Sequence, residues 1–188
     1  MTIPSPMLAV NWTTAKPAGP LWVQPKINGR RAMACRVPGL GLRFISRGGC
    51  VLPGLVDIAQ ALVSLLPIDG ILDGELALPS GKATPGEFSR LSGDIRAGRP
   101  CGAVFWIFDI PGPEGYASRT CPIWTLPDSP LVRSIWPHTR RASSPAQAER
   151  IAAGWIGQGW EGAMVRLPMS GYVAGRSRSL LKIKESYE

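Results

Sequence analysis

Apolar and polar residues alternate with a period of two in six short runs: LWVQPK (21–26), GLRFIS (41–46), ILDGELAL (71–78), AVFWIFDI (103–110), GAMVRL (162–167) and SLLKIK (179–184). Successive side chains on a strand point to opposite faces, so each run predicts a strand. Three stretches read instead as helices: 54–66 (GLVDIAQALVSLL), 85–93 (PGEFSRLSG) and 145–157 (PAQAERIAAGWIG). Thr84 can cap the second, with Pro85 in its first turn, and Ser144 caps the third. Strands and helices alternate irregularly, which predicts an α+β fold of largely antiparallel sheets. The stretch 111–143, rich in Pro, Arg and Ser, lacks clean periodicity and reads as a long connection or insert. No internal repeat and no interior linker divides the chain.

Composition narrows the class. With 188 residues, 45% of them hydrophobic, the chain has room for one domain with a core of its own. Its 22 glycines and 19 prolines stay short of the share that marks low-complexity disorder. Lysine and arginine number 21 against 13 acids, a formal charge of +8, although charged residues are only 18% of the chain. Scarce acids rather than basic tracts produce the imbalance, which favours a polyanionic partner. No stretch reaches the roughly 18 uncharged apolar residues of a membrane span, and MTIPSPMLAVNW lacks the build of a signal peptide. The expectation is an intracellular (cytoplasmic) protein with no membrane partner. Cys35, Cys50, Cys101 and Cys121 are far apart, and with His138 as the single histidine they read as ordinary thiols rather than a zinc site.

Candidate chemistry gathers around a few positions. Lys26 ends an apolar run and opens KINGRR (26–31), where Gly29 permits a tight turn and two arginines follow. Taken alone the segment is a solvated basic turn; with partners, its lysine is a nucleophile or a phosphate clamp. Nucleophilic work needs an uncharged amine near neutral pH, hence burial and neighbouring positive charge. In ILDGELAL, alternation sends Leu72, Leu76 and Leu78 to one face and Asp73 and Glu75 to the other. The two carboxylates then border a site or, for Asp73 equally, lie on a solvated edge strand. Lys182 and Lys184 share one face of LLKIK, about 7 Å apart, and suit an anionic ligand or a basic surface. WEGAMVR holds Glu161 at the mouth of a strand, FISRGG ends a strand on Ser46 and Arg47, and FWIFDI sets Phe108 beside an acid.

The order of these pieces carries more than any one of them. KINGRR, SRGG, DGE, FD, EGAMV and YVAGRSRSLLKIK follow one another as Lys-x-Asp-Gly-x-Arg, Ser-Arg-x-Gly, Asp-Gly-Glu, Phe-Asp, Glu-Gly-x-Met-Val and Tyr-x-x-Gly-Arg-Ser-x-x-Leu-Leu-Lys-x-Lys do in ATP-dependent DNA ligases. PMLA (6–9) is similar to the lead-in common in that family, and the resemblance runs from Pro6 to Lys184. It implies a nucleotidyltransferase (ATP-grasp-like) fold with the active site in the cleft between sheets.

By resemblance, Lys26 would attack the α-phosphorus of ATP to give a lysyl-AMP phosphoramidate. AMP would then pass to a 5′-phosphate at a nick in double-stranded DNA, and the 3′-hydroxyl would displace it. Lys182 and Lys184 would hold the α-phosphate and help keep Lys26 neutral; Phe108 would stack on adenine and Gln24 border it. Glu75 would hydrogen-bond a ribose hydroxyl, Glu161 would help bind Mg2+, and Arg31 and Arg47 would contact the nucleotide or the nick phosphate. Arg176 reads equally as a DNA-phosphate contact and as a plain surface arginine. Position 28 departs from the pattern, with Asn28 where the family has aspartate. The chain ends at Glu188, where such ligases continue into an oligonucleotide-binding domain, so the expectation is an adenylation domain without that module, monomeric, with modest DNA affinity. RNA ligases and mRNA-capping guanylyltransferases share the lysine chemistry. A non-catalytic nucleic-acid-binding module would account for the charge and the seven tryptophans, but not for paired carboxylates beside a lysine.

Overall fold

Two twisted sheets build the molecule in the computed structural model, which describes residues 4–14, 16–66, 70–126 and 129–184. The elements run β1 (Met7–Asn11), β2 (Leu21–Pro25), β3 (Gly29–Val37), β4 (Gly41–Ser46), β5 (Val51–Leu52), α1 (Val56–Val63), β6 (Ile71–Ala77) and α2 (Pro85–Ala97). There follow β7 (Val104–Asp109), α3 (Tyr116–Thr120), β8 (Val132–Ser134), β9 (Arg140–Ala142), α4 (Pro145–Gly157), β10 (Gly162–Arg166) and β11 (Gly175–Lys184). The first sheet has the order β1-β11-β10-β2-β9 and the second β5-β4-β3-β6-β7-β8. All pairings are antiparallel except β1 with β11 and β7 with β8. The architecture is α+β.

Period-two patterning decides which face of each sheet meets a helix. In the first sheet Val23, Ala163, Val165 and Leu181 are buried with Ala148 and Ala152 of α4. In the second, Ala32, Ala34, Phe44, Leu72, Leu76, Phe105 and Ile107 join Ile58 and Leu62 of α1 and Leu91 and Ile95 of α2. The opposite faces carry the polar residues, with a smaller apolar group (Ile27, Ala77, Val104, Trp106, Phe108 and Ile135) on the inner side.

Two helices, at Pro85 and Pro145, start where the sequence says they do. Thr84 accepts from the Glu87 amide while the Glu87 carboxylate accepts from the Thr84 amide, a complete capping box, and Ser144 accepts from the Gln147 amide. The second helix runs on to Ala97 rather than stopping at residue 93, because Leu91 and Ile95 continue its buried stripe. The first is shorter than 54–66, covering Val56–Val63.

Several sequence expectations need correction. Gly29 does not make a tight turn: it opens the nine-residue strand β3, because a side chain there would run into the Leu76 carbonyl, Ala77 and Glu75 of the neighbouring strand. GRRAMACRV lacks strict alternation because β3, interior between β4 and β6, is covered on both faces, so that Ala32, Met33, Ala34 and Cys35 are all buried. β1, seen in the sequence only as a lead-in, is an edge strand held by β11. The stretch 111–143 is not a bare connection, since it contributes α3, β8 and β9. β6 is interior, so Asp73 is fully buried rather than solvated at an edge.

The β6–β7 register slips by one residue at Asp73–Gly74, where the backbone packs hard on β7. A Cβ on Gly74 would fall 2.5 Å from both the Trp106 carbonyl oxygen and the Phe105 ring. Gly74→Ala is therefore expected to destabilise the fold by about 1–3 kcal/mol, the cost of overpacking a filled core. A urea midpoint equal to that of the parent would contradict this.

Candidate active site

Strand pairing alone brings the two ends of the chain to Lys26. The Lys26 amide donates to the Gly162 carbonyl at 2.9 Å, and Gly162 pairs in turn with Lys184. One step along, Gln24, Met164, Lys182 and Asn11 are successive partners across β2, β10, β11 and β1. Paired residues share a face, so Gln24 and Lys26 lie on the same side as Lys182 and Lys184. Gly162 is needed where the rows meet, since it has φ 144° and a side chain there would strike the Ile183 carbonyl.

Glu161 sits between two of the lysines. One of its oxygens accepts from Lys26 Nζ and the other from Lys184 Nζ, the latter at 2.6 Å. Burial alone would raise its carboxyl, but the two ammonium groups outweigh that and hold it below the usual carboxylate range. The surroundings of Lys26 are therefore mixed in charge rather than uniformly cationic. The Lys182 side chain makes no hydrogen bond or ion pair among the described residues and keeps its ammonium available on the Gln24 row.

From the second sheet, Arg31 and Glu75 are paired neighbours on β3 and β6, and Phe108 follows on β7. Together with Gln24, Lys26, Met164 and Arg166 they line one pocket of about 90 Å³. That is well under the roughly 300 Å³ of a small-ligand site. Arg31 lies 4.5 Å and Arg166 5.6 Å from the centre of the Phe108 ring, so guanidinium groups already rest against it. Phe108 is accordingly part of the inner apolar group, 9% exposed, as well as a pocket wall. Burial pushes the Glu75 carboxyl up to about 7, against the lowering pull of Arg31 and Lys26.

Behind the pocket run two polar networks. The Asp109 carboxylate accepts from Arg119 Nε at 2.7 Å and Nη2 at 3.1 Å, and from Arg166 Nη1. Arg166 Nε donates to Gln24 Oε1 at 3.1 Å, Gln24 Nε2 donates to the Tyr116 hydroxyl and to Thr139 Oγ1, and Tyr116 donates to the Phe108 carbonyl at 2.9 Å. On the other side Asp73 accepts from Arg31 and from the Tyr172 hydroxyl, and Tyr172 accepts from the Met7 amide. Arg31 also donates to the Met7 carbonyl at 3.1 Å. Gln24 thus borders the pocket with both ends of its amide already bonded to protein.

Asn28 has a definite task. Its amide nitrogen donates to the Ala83 carbonyl at 2.9 Å and its backbone amide donates to Gly81 at 3.0 Å, tying the Lys26 segment to the loop that enters α2. Beside it a wider cleft of about 580 Å³ is lined by Asn28, Phe88, Trp160, Glu161 and Lys184.

Of the residues singled out from sequence, Gln24, Lys26, Arg31, Glu75 and Phe108 converge on one pocket, with Glu161 and Lys184 bonded or paired at its mouth. Arg47 stands apart: exposed in the β4–β5 turn, it lines a neighbouring cleft that shares Arg31 and Glu75. Arg176 is exposed at the start of β11, opposite Leu8. Arg166, Asp109, Tyr116 and Tyr172 were not singled out. Asp109, Arg166 and Tyr172 stand within or beside matched motifs, whereas Tyr116 lies in the aperiodic stretch and gave no signal.

No family model and no curated protein matches the sequence. Solved structures do match the fold. The ligase Pmar-Lig_PreS3 superposes with a TM-score of 0.78 at 19% identity, over 98% of this chain and 47% of that one. A Lig E DNA ligase, described as binding DNA with a minimal scaffold, gives 0.74 at 21%, over 98% and 70%. Mycobacterial DNA ligase D, solved with ATP, gives 0.70 at 26%, over 96% and 60%. The chain spans about half the length of Pmar-Lig_PreS3. Its fold is that of the nucleotidyltransferase domain of ATP-dependent DNA ligases.

An aspartate at position 28 has no hydrogen to offer Ala83 and sets oxygen against oxygen. Asn28→Asp is expected to cost about 1–3 kcal/mol in thermal unfolding at neutral pH, with the deficit shrinking below about pH 4 as the carboxyl regains a donor. A loss independent of pH would argue against the loop clamp. Glu75 adds a second pH signature. Its folded carboxyl is raised from 4.5 to about 7, so its contribution to stability is complete below 4.5 and is lost as pH climbs through about 7. Glu75→Gln should remove that decline; a pH-independent difference between parent and variant would contradict the assignment.

Proposed function

We propose that this chain is the adenylation domain of an ATP-dependent DNA ligase, with Lys26 as the nucleophile. The observation that carries the reading is the placement of Lys26: it shares one pocket with Gln24, Arg31, Glu75 and Phe108, with Glu161 and Lys184 bonded at its mouth and Lys182 paired with Met164 of the pocket wall.

The chemistry follows from those positions. Lys26 Nζ, once deprotonated, attacks the α-phosphorus of ATP; a nitrogen–phosphorus bond forms, the bond to the bridging oxygen breaks, and pyrophosphate leaves with the electron pair. Glu161, hydrogen-bonded to Nζ, orients the amine, and the positive charge of Lys182 and Lys184 nearby favours its uncharged form. Lys182, and Lys184 once Glu161 releases it, are the cations able to meet the phosphate oxygens, stabilising charge that grows in the transition state. Glu75 reaches the ribose from the opposite wall, and Gln24 and Phe108 border the base. In later steps an oxygen of a 5′-phosphate at a DNA nick attacks the same phosphorus and releases Lys26, and the strand's 3′-hydroxyl then displaces AMP. The excess of basic residues suits that polyanionic substrate.

No group of three acidic, histidine or cysteine side chains gathers among the described residues, so the chain itself would offer a magnesium ion few ligands, with Glu161 the carboxylate bonded to Lys26 at the cleft. Glu161 would hold it; when bound, the ion supplies neutralisation of the phosphate charge.

Incubation with α-labelled ATP and magnesium, followed by denaturing electrophoresis, should leave acid-labile AMP on the protein. Lys26→Ala should reduce the label to background, and Glu161→Gln should lower its rate by about 10²-fold. Label persisting on Lys26→Ala removes the nucleophile assignment. Preference for GTP would move the chain to the capping enzymes.

A further inference from the structure

Among the described residues seven large apolar side chains are exposed, and five of them (Leu40, Val51, Val56, Val63 and Leu65) belong to the side of the second sheet that α1 covers. Val51, Val56 and Val63 line one groove of about 380 Å³ between α1 and the β4–β5 edge, floored by Leu42, Phe44 and Leu52. Arg36 of β3 donates to the Val63 and Leu66 carbonyls at 3.1 and 2.7 Å. That contact brings the β3–β4 turn, which carries Leu40, to the end of α1, which Leu65 follows.

The helix α1 is apolar on two sides. Ile58 and Leu62 enter the core, while Val56, Ala59 and Val63, three and four residues apart, form a second stripe along the groove. A helix apolar nearly all round belongs between two layers, yet this second side is 63% exposed at Val56. Scattered exposed apolar residues are ordinary, whereas a continuous stripe along a concave groove marks an interaction surface. An added strand finds little to pair with, since the edge strand β5 has two residues and leads into Pro53, which has no amide hydrogen. The groove suits a helix laid in by its own apolar stripe. Its rim is basic. Arg43 lines it and donates to the Leu42 carbonyl at 3.0 Å, Arg36 stands at its far end, and neither has an acidic partner among the described residues. Asp57, the acid of α1, lines a different cleft with Ile58 and Pro100. Two uncompensated guanidinium charges beside an apolar floor select acidic flanks in whatever docks there.

We propose that this groove docks an amphipathic helix of a partner protein, its apolar stripe lying on Val56 and Val63 and its acidic flanks meeting Arg43 and Arg36. A flat lipid surface would also meet apolar and basic groups, but it cannot fill a groove sunk between α1 and the β4–β5 edge. The groove opens on the helix-covered face of the sheet and the Lys26 pocket on the other, so docking does not depend on the adenylation reading.

The test titrates the isotopically labelled full chain with two synthetic helices of about 15 residues that share one leucine stripe, the remaining positions being glutamate in one and lysine in the other. The glutamate helix should shift backbone amides of β4, β5 and α1 and bind roughly tenfold more tightly than the lysine helix. Val56→Ser with Val63→Ser should weaken the glutamate helix roughly tenfold, and Arg43→Glu, on an exposed position of β4, should reverse the preference between the two helices. Both variants should melt with the parent; if the valine pair melts lower, the reversal by Arg43→Glu decides. Equal binding of the two helices, shifts confined to other elements, or an unchanged preference in Arg43→Glu would overturn the proposal. So would a concentration-dependent dimer that the valine pair abolishes, which would give the face to a second copy, or binding to anionic phospholipid vesicles with no affinity for either helix, which would give it to a membrane.

Discussion

Two buried carboxylates fasten one sheet to the other, and the pocket exists because they do. Asp109, at the end of β7, is fully buried against Arg119 and Arg166, and through Arg166 it holds Gln24 of the facing sheet. Asp73, on β6, is fully buried against Arg31 and Tyr172, and through them it holds Met7 of β1. An unpaired charge at such depth would cost several kcal/mol, so each aspartate ties its arginines to one place. Both fastenings run from sheet to sheet, across the cleft rather than within one layer.

This arrangement fixes the character of the pocket between them. Asp109 balances only one of its two arginines, so the Arg119–Asp109–Arg166 group carries one net positive charge with Arg166 in the pocket wall. Arg31 brings a second guanidinium from the opposite side, bound to Asp73 behind it. Both rest against Phe108, which gives them an apolar surface and leaves their outer edges toward the cleft. The same residues that hold the sheets together therefore supply the field an anionic ligand would meet.

Much of this could be read from the chain because its signals are local. Thr84 with Glu87, Ser144 with Pro145, and the alternation in ILDGELAL and GAMVRL each follow from neighbours a few residues away. The convergence on Lys26 was legible only through the order of the motifs, since nothing local says that residue 26 meets residues 161 and 184. Long-range register was not legible at all. β3 was missed because an interior strand needs no alternation, and β1 because its pairing depends on β11 at the far end of the sequence. Tyr116, buried and donating to Phe108, lies where composition suggested only a connection. The solvation of Asp73 was left open for the same reason, because burial depends on which strands flank β6.

Glu161 shows how the resting cleft and the proposed chemistry fit together. Lys26 and Lys184 face each other's charge, and the carboxylate between them screens that repulsion. A triphosphate offers the same two cations a larger opposite charge and more acceptor oxygens, so Lys184 has reason to exchange partners. Lys26 differs from Lys184 in what it gains. In the proposed reaction, leaving Glu161 without its proton would let it act as a nucleophile, while Lys184 would remain a cation that holds the phosphate. One carboxylate flanked by two lysines thus separates their roles, because only Lys26 opens into the pocket shared with Arg31, Glu75 and Phe108.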